Sequence, residues 1–139
     1  MNFSCIYRLQ CKDKEITEFY IGSTKHYSIR KRLHKCDCTN INSNEYNRKI
    51  YKFMREHGGW DNWEMIVEVK TPNHTKEERI ILEQIFLEIF EPTLNCYNSS
   101  GKNKNLIKKY VKIREKCPIC EKELLKVCMT RHIRTIHNL

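Results

Sequence analysis

The stretch Tyr20-Ile21-Gly22-Ser23-Thr24, continuing through Arg30 to His34, decides how the chain is read. It has the form of a strand end, a tight turn at Gly22 and then a helix. Glycine suits that place because it tolerates positive φ and lets other atoms approach the backbone closely. Arg30 and His34 are four residues apart, so a helix presents both on one face. A guanidinium keeps its charge at any working pH and grips a phosphate through paired hydrogen bonds. A tyrosine, an arginine and a histidine gathered behind one strand end therefore point toward phosphate chemistry.

Outward from this stretch the pattern builds a small sheet. Residues 3–10 alternate, with Phe3, Cys5, Tyr7 and Leu9 on one side. A charged turn over Lys12 to Glu18 leads into the second strand at Phe19, so an antiparallel hairpin brings Tyr7 near Tyr20. Ser28 to Cys36 is the basic helix, and Thr39 to Asn44 is loop. Asn47 to Glu56 is an amphipathic helix with Ile50, Phe53 and Met54 on one face, stopped by His57-Gly58-Gly59. After a turn at Asp61-Asn62-Trp63, Glu64 to Val69 is a third strand. Thr75 and Glu78 have capping-box spacing for a helix from about Lys76 to Phe90, which Pro92 follows. Its expected apolar stripe is Ile80, Ile81, Ile85, Phe86 and Ile89, with Glu83 among them. The expected fold is α/β of the α+β kind: a three-stranded antiparallel sheet flanked by helices over residues 1–98.

The 139 residues carry a net charge of +9, and its position is more telling than its size. Residues 1–100 hold 15 Lys and Arg against 14 Asp and Glu, a net of +1, whereas residues 101–139 hold 11 against 3, a net of +8. A basic tail on a nearly neutral body suggests a polyanion-binding module beside a domain with another task, the plain alternative being a solubilising tail. At 40% hydrophobic residues the chain can bury a core, and no apolar run is long enough to span a bilayer. The start, Met1-Asn2-Phe3-Ser4-Cys5, has no charged segment leading into an apolar one, so an intracellular protein is expected. Eight cysteines in such a chain point to reduced thiols or metal ligation.

Only the last cysteines have ligand spacing. Cys117, Cys120, His132 and His137 make C-x2-C-x11-H-x4-H, two thiolates from a tight knuckle and two imidazoles from successive helical turns, which suits tetrahedral Zn²⁺. Leu124 and Met129 fall where such a unit needs its small core, and Cys128 is read as packing. So few residues cannot bury enough apolar surface to fold without a staple. The expected unit is a C2H2 zinc finger at 113–139, joined to the body by a polar, basic linker at 99–112. Lys126, Arg131 and Arg134 are its candidates to touch nucleic acid, either reading bases or contacting backbone alone.

Cys5-Ile6-Tyr7, Tyr20-Ile21-Gly22, Arg30, His34, Glu83 and Asn95 stand in an order that resembles the GIY-YIG nuclease superfamily over about residues 3–98. The segment from Tyr51 through Gly58-Gly59-Trp60-Asp61-Asn62-Trp63 looks like forms found in large DNA viruses and mobile elements. Cys5 departs from the first glycine of the family pattern, and the hairpin between the tyrosine motifs is slightly long. The resemblance implies metal-dependent hydrolysis of DNA, double-stranded in the first instance. Glu83 would hold one divalent cation, Mg²⁺ by expectation, and Arg30 would clamp the scissile phosphate. Tyr7 would take a proton from the attacking water, which asks for a lowered phenol pKa. Tyr20, His34 and Asn95 would orient water and phosphate or hold the site together. No membrane or protein partner is implied.

Each residue also has a plain reading: Tyr7 and Tyr20 as sheet aromatics, His34 as a solvated helix residue. Glu83 must face either solvent or a metal, because an unpaired carboxylate is costly to bury. Beside a homing or mobile-element endonuclease stand two alternatives, a nucleic-acid-binding protein with the same fold and no turnover, and a repair or junction-resolving nuclease.

Overall fold

The computed structural model describes residues 2–95, 114–125 and 129–138. The first of these segments is an α+β body built on three antiparallel strands. Strand β1 (Cys5–Cys11) lies between β2 (Phe19–Thr24) and β3 (Trp63–Lys70), giving the order β2-β1-β3. Tyr7 pairs with Gly22 and Leu9 with Tyr20, so the hairpin brings the two tyrosine motifs together as expected.

Alternation along β1 divides the core between the two faces of the sheet. Cys5, Tyr7, Leu9 and Cys11 pack with Cys38 of helix α1 (Tyr27–Thr39) and with Ile50, Tyr51 and Met54 of helix α2 (Lys49–Glu56). Ile6, on the other face, packs with Ile21 and with Phe86 of helix α3 (Lys76–Phe90). This second layer holds a buried ion pair that the sequence pattern conceals. The pairing of β1 with β3 shifts between Ile6 and Tyr7, which leaves Glu68 as the extra residue of a bulge. Its carboxylate meets the Arg8 guanidinium at 2.6 Å, and that guanidinium lies 4.2 Å from the centre of the Phe19 ring. Pairing and ring contact together offset the cost of desolvating the two charges.

Several boundaries differ from expectation for local reasons. No turn occurs at Gly22; β2 continues to Thr24, and Gly22 is not among the residues with positive φ. What requires glycine is close approach, since a methyl there would lie 2.5 Å from the Tyr7 hydroxyl. Helix α2 stops as expected, with Gly58 and Gly59 at φ 91° and 73° and the Gly59 N–H donating to the Met54 carbonyl. Its fully buried members are Ile50, Tyr51 and Met54, Phe53 being only half-buried. Trp63 begins β3 and is buried. Helix α3 has both arms of the expected capping box. Its buried stripe is rotated from the expected one: Ile85 and Phe86 are inside, Leu82 and Phe90 flank them, and Ile80 is exposed.

The last two described segments form a ββα unit. Strands β4 (Arg114–Lys116) and β5 (Glu123–Leu125) pair antiparallel, and helix α4 (Met129–His137) follows. The knuckle between the strands closes through the Glu121 N–H on the Cys117 carbonyl, with Glu121 at φ 58°. Leu124 and Met129 are half-buried, as a small core requires. The expected linker at 99–112, with Lys126 and Cys128, lies outside the described residues, as does the side chain of Arg131. Among the described residues no helix is long and apolar enough to cross a membrane.

Candidate active site

The site forms where α1 passes the paired β1 and β2. Tyr7 is fully buried on β1, directly across from the bare backbone of Gly22. Arg30 and His34 lie one turn apart on α1, and both reach the Tyr7 hydroxyl: Arg30 Nε donates to it at 3.0 Å, and His34 Nε2 is 2.7 Å from it. Tyr20 completes the cluster, its ring centre 6.3 Å from that of Tyr7 and 5.9 Å from that of His34. The expected shared helical face is thus present, and Tyr7 is what it converges on.

Glu83 comes from α3, on the other side of the sheet, and accepts a short hydrogen bond from the Ser23 hydroxyl. It faces neither the solvent nor the core outright. Burial pushes its pKa up, opposed by the Ser23 hydrogen bond and by the charge of Arg30. The same carboxylate raises the pKa of both Tyr7 and Tyr20. Those two tyrosines, Arg30 and Glu83 are therefore electrostatic neighbours although they come from both faces of the sheet.

Asn95 works differently. Its side-chain oxygen accepts from the Ile21 N–H at 3.0 Å and its side-chain nitrogen donates to the Ile21 carbonyl at 2.7 Å. It clamps β2 one residue before Gly22, which holds the site together.

The protein's own groups do not lower the Tyr7 pKa as expected. Burial, joined by Tyr20, pushes the phenol well above its ordinary value, and Arg30 only partly opposes this. His34 is not solvated either. It is 1% exposed, and burial followed by the charges of Arg30 and Arg48 pulls its pKa down to about 3.

That shift has a consequence for stability. The unfolded imidazole takes up a proton near its ordinary value of about 6.5, and the folded one does so only near 3, so between those values the unfolded chain binds more protons. Stability contributed by His34 is complete above that window and declines as the pH falls through it, by about 2 kcal/mol at pH 5. Melting temperatures taken from pH 7 to pH 5 are expected to fall more steeply in the native chain than in His34→Gln. Parallel curves would contradict a neutral, buried His34.

Sequence reasoning missed four contributors: Ser23, Asp37, Arg48 and Tyr51. The His34 Nδ1 is 2.8 Å from the Tyr51 hydroxyl, which donates to Asp37 Oδ2 at 3.4 Å. The Ser43 hydroxyl donates to the other Asp37 oxygen at 2.6 Å. Arg48, exposed just before α2, has its pKa raised by Tyr20, Glu45 and Tyr51 against the lowering effect of partial burial. The one early signal was the amphipathic pattern of α2, which places Tyr51 beside Ile50 and Met54.

In the ββα unit Cys117, Cys120, His132 and His137 converge as their spacing predicts, with all four ligand atoms within 4.8 Å of one another. The two imidazole Nε2 atoms are 3.2 Å apart, and each lies 3.2 or 3.4 Å from a thiol sulfur. Zinc–sulfur and zinc–nitrogen bonds of about 2.3 and 2.0 Å in a tetrahedron give edges of about 3.3 Å between nitrogens and about 3.5 Å between nitrogen and sulfur. The cluster is therefore a Cys2His2 set able to hold a metal ion such as zinc. Arg134 is exposed on the same helix. In comparisons with known proteins, no family model, no curated protein and no solved structure matches this chain.

Proposed function

We propose that the chain is a metal-dependent DNA endonuclease of GIY-YIG type, with a C2H2 zinc finger that helps to hold it on its substrate. The observation that carries this reading is the convergence of Arg30 Nε and His34 Nε2 on the hydroxyl of Tyr7, with the partly buried Glu83 held beside them by Ser23. Packing alone does not call for so many polar groups around one phenol. Glu83 fits a divalent cation because it is a hard oxygen donor whose charge is left poorly compensated by burial, as its raised pKa records. A bound Mg²⁺ would supply charge stabilisation on the phosphate and an acidified water.

The chain's own residues do the rest. Tyr7 accepts the proton of the attacking water and His34 stands ready behind it. Arg30, fixed through Nε, turns its remaining nitrogens to the scissile phosphate. Tyr20 and Arg48 border the same space, and Asn95 keeps β2 in place. The products are a 5′-phosphate and a 3′-hydroxyl. The finger and the basic residues around it add backbone contacts and effective concentration.

A protein that binds nucleic acid without cleaving it is the second reading, and the raised pKa of Tyr7 is the observation that favours it. Supercoiled plasmid with Mg²⁺ separates the two. The native chain is expected to nick, and Arg30→Ala to be slower by roughly a hundredfold to a thousandfold, the usual loss when a group stabilising transition-state charge is removed. Equal rates for the two proteins, or no nicking by either, would overturn the enzymatic reading. Comparing linear duplex, branched DNA and single strands then distinguishes a homing enzyme from a repair or junction nuclease.

A further inference from the structure

The hydrogen bonds around His34 run in one direction, which the carboxylate of Asp37 sets. At the far end, a carboxylate accepts hydrogen bonds and has none to give, so the Tyr51 hydroxyl donates its proton to Asp37. The Tyr51 oxygen is then an acceptor for its other neighbour, and that neighbour is His34 Nδ1 at 2.8 Å. A neutral imidazole carries one N–H, so with the proton on Nδ1 the Nε2 atom is a bare lone pair. At the near end, Arg30 donates into the Tyr7 oxygen, and a bare Nε2 at 2.7 Å is the acceptor within reach of the Tyr7 proton. This agrees with the tautomer that the far end requires. The order is Tyr7 to His34 to Tyr51 to Asp37, from a fully buried phenol to a half-buried carboxylate that Ser43 also holds.

We propose that Tyr51 and Asp37 are positioning residues that keep the His34 proton on Nδ1, so that Nε2 stands bare against the Tyr7 hydroxyl and takes its proton during turnover. The groups facing His34 are Tyr7 from β1, Tyr20 from β2, Arg30 from its own helix, and Arg48 and Tyr51 from the start of α2. Tyr51 in turn faces Asp37, Arg30, Tyr20 and Arg48. Two of these neighbours are cations, which oppose an imidazolium; Asp37, acting through Tyr51, is the anion that supports one. In the step itself the Tyr7 O–H bond breaks and an Nε2–H bond forms while the Tyr7 oxygen takes a proton from water, so that no free phenolate is left in a site whose burial disfavours one. The resulting hydroxide attacks phosphorus, and the bond to the leaving 3′ oxygen breaks. The proton on Nε2 returns by way of water to that leaving oxygen, and the bare nitrogen is restored. A buried Asp behind a catalytic histidine fixes its tautomer by the same logic, with one hydroxyl fewer between them.

This inference rests on the reading of Tyr7 as proton acceptor, and its first test does not depend on cleavage. In the full, zinc-loaded chain labelled with ¹⁵N, imidazole nitrogen shifts report which atom of His34 carries hydrogen. The expected result is a protonated-type Nδ1 and a bare-type Nε2. Tyr51→Phe removes the acceptor and is expected to move the proton to Nε2; Asp37→Ala frees the Tyr51 hydroxyl to turn and is expected to mix the two forms. A proton on Nε2 in the native chain overturns the proposal even if both variants fail to fold, and an unchanged imidazole in both variants does so as well. On plasmid, Tyr51→Phe is expected to nick roughly tenfold to a hundredfold more slowly at pH 7, recovering as the pH is raised. A loss equal at every pH would mark Tyr51 as a packing residue only. Should the native chain nick nothing, the nuclease reading fails while the tautomer is still measured.

Discussion

Glu83→Gln is expected to end cleavage and, in the absence of metal, to make the folded chain harder to unfold. The two effects have one cause. The carboxylate comes from the side of α3, meets the Ser23 hydroxyl, and sits where burial outweighs both that hydrogen bond and the charge of Arg30. A cation would compensate that charge; without one, the folded state carries an imperfectly solvated anion. Glutamine keeps an acceptor for Ser23 and discards the charge, so a gain of about 1 kcal/mol is expected, of the size found where a functional site gives up stability. The sign can be checked with pH. A raised folded pKa means that the stabilising contribution belongs to the protonated form, complete below the unfolded value of about 4.3 and lost as the pH rises. The gain of Glu83→Gln over the native chain should thus be visible in urea titrations at pH 7 and vanish near pH 4. Plasmid nicking should fall at least roughly a thousandfold, since the amide holds a divalent cation poorly. Retained nicking would rule Glu83 out as the proposed metal ligand, and an unchanged urea midpoint at pH 7 would show that its burial costs nothing.

Removing zinc is expected to unfold the ββα unit and leave the sheet body intact. Strands β4 and β5 are three residues each, and α4 has nine. Leu124 and Met129 are only half-buried, so apolar burial cannot offset the entropy of ordering these segments. With the Cys2His2 cluster read as a structural zinc site, the energy comes from its four ligands, and metal binding and folding are then one event worth on the order of 10 kcal/mol at neutral pH. Chelation of the full chain should collapse the amide signals of residues 114–125 and 129–138 into the unfolded range, while those of β1, β2 and β3 remain. Addition of zinc should restore them at one equivalent, and Co²⁺ should give the absorption of a tetrahedral thiolate site. Signals from α4 that survive chelation would refute the metal as staple. Loss of both parts would show that the body depends on the unit.

Alternation and capping were sufficient to locate most of the body. The odd residues of β1 carry one face because a strand's side chains alternate, and α3 spans Lys76 to Phe90 because Thr75 and Glu78 close a capping box and Pro92 cannot continue a helix. The ligand spacing of Cys117, Cys120, His132 and His137 likewise forecast the cluster, because coordination geometry constrains separation along a knuckle and a helix. The four-residue step from Arg30 to His34 put both on one side of α1 before any partner was known. All of these are local regularities, and local regularities are written in consecutive residues.

What only the tertiary structure decided are the contacts between segments far apart in the chain. Gly22 was expected to make a turn; its reason is the Tyr7 hydroxyl, fifteen residues earlier, occupying the space where a methyl would go. Tyr7 was expected to be made more acidic by a nearby metal and Arg30; instead the burial of its side chain outweighs Arg30. The Arg8–Glu68 pair required a bulge in β3, and the path from His34 through Tyr51 to Asp37 required α2 to lie against α1. Periodicity reports which face of an element is apolar, but the direction of a hydrogen bond and the pKa of a buried group depend on how several faces close together. The sequence alone determined the elements and the Cys2His2 cluster; the packing determined which atom of His34 faces Tyr7.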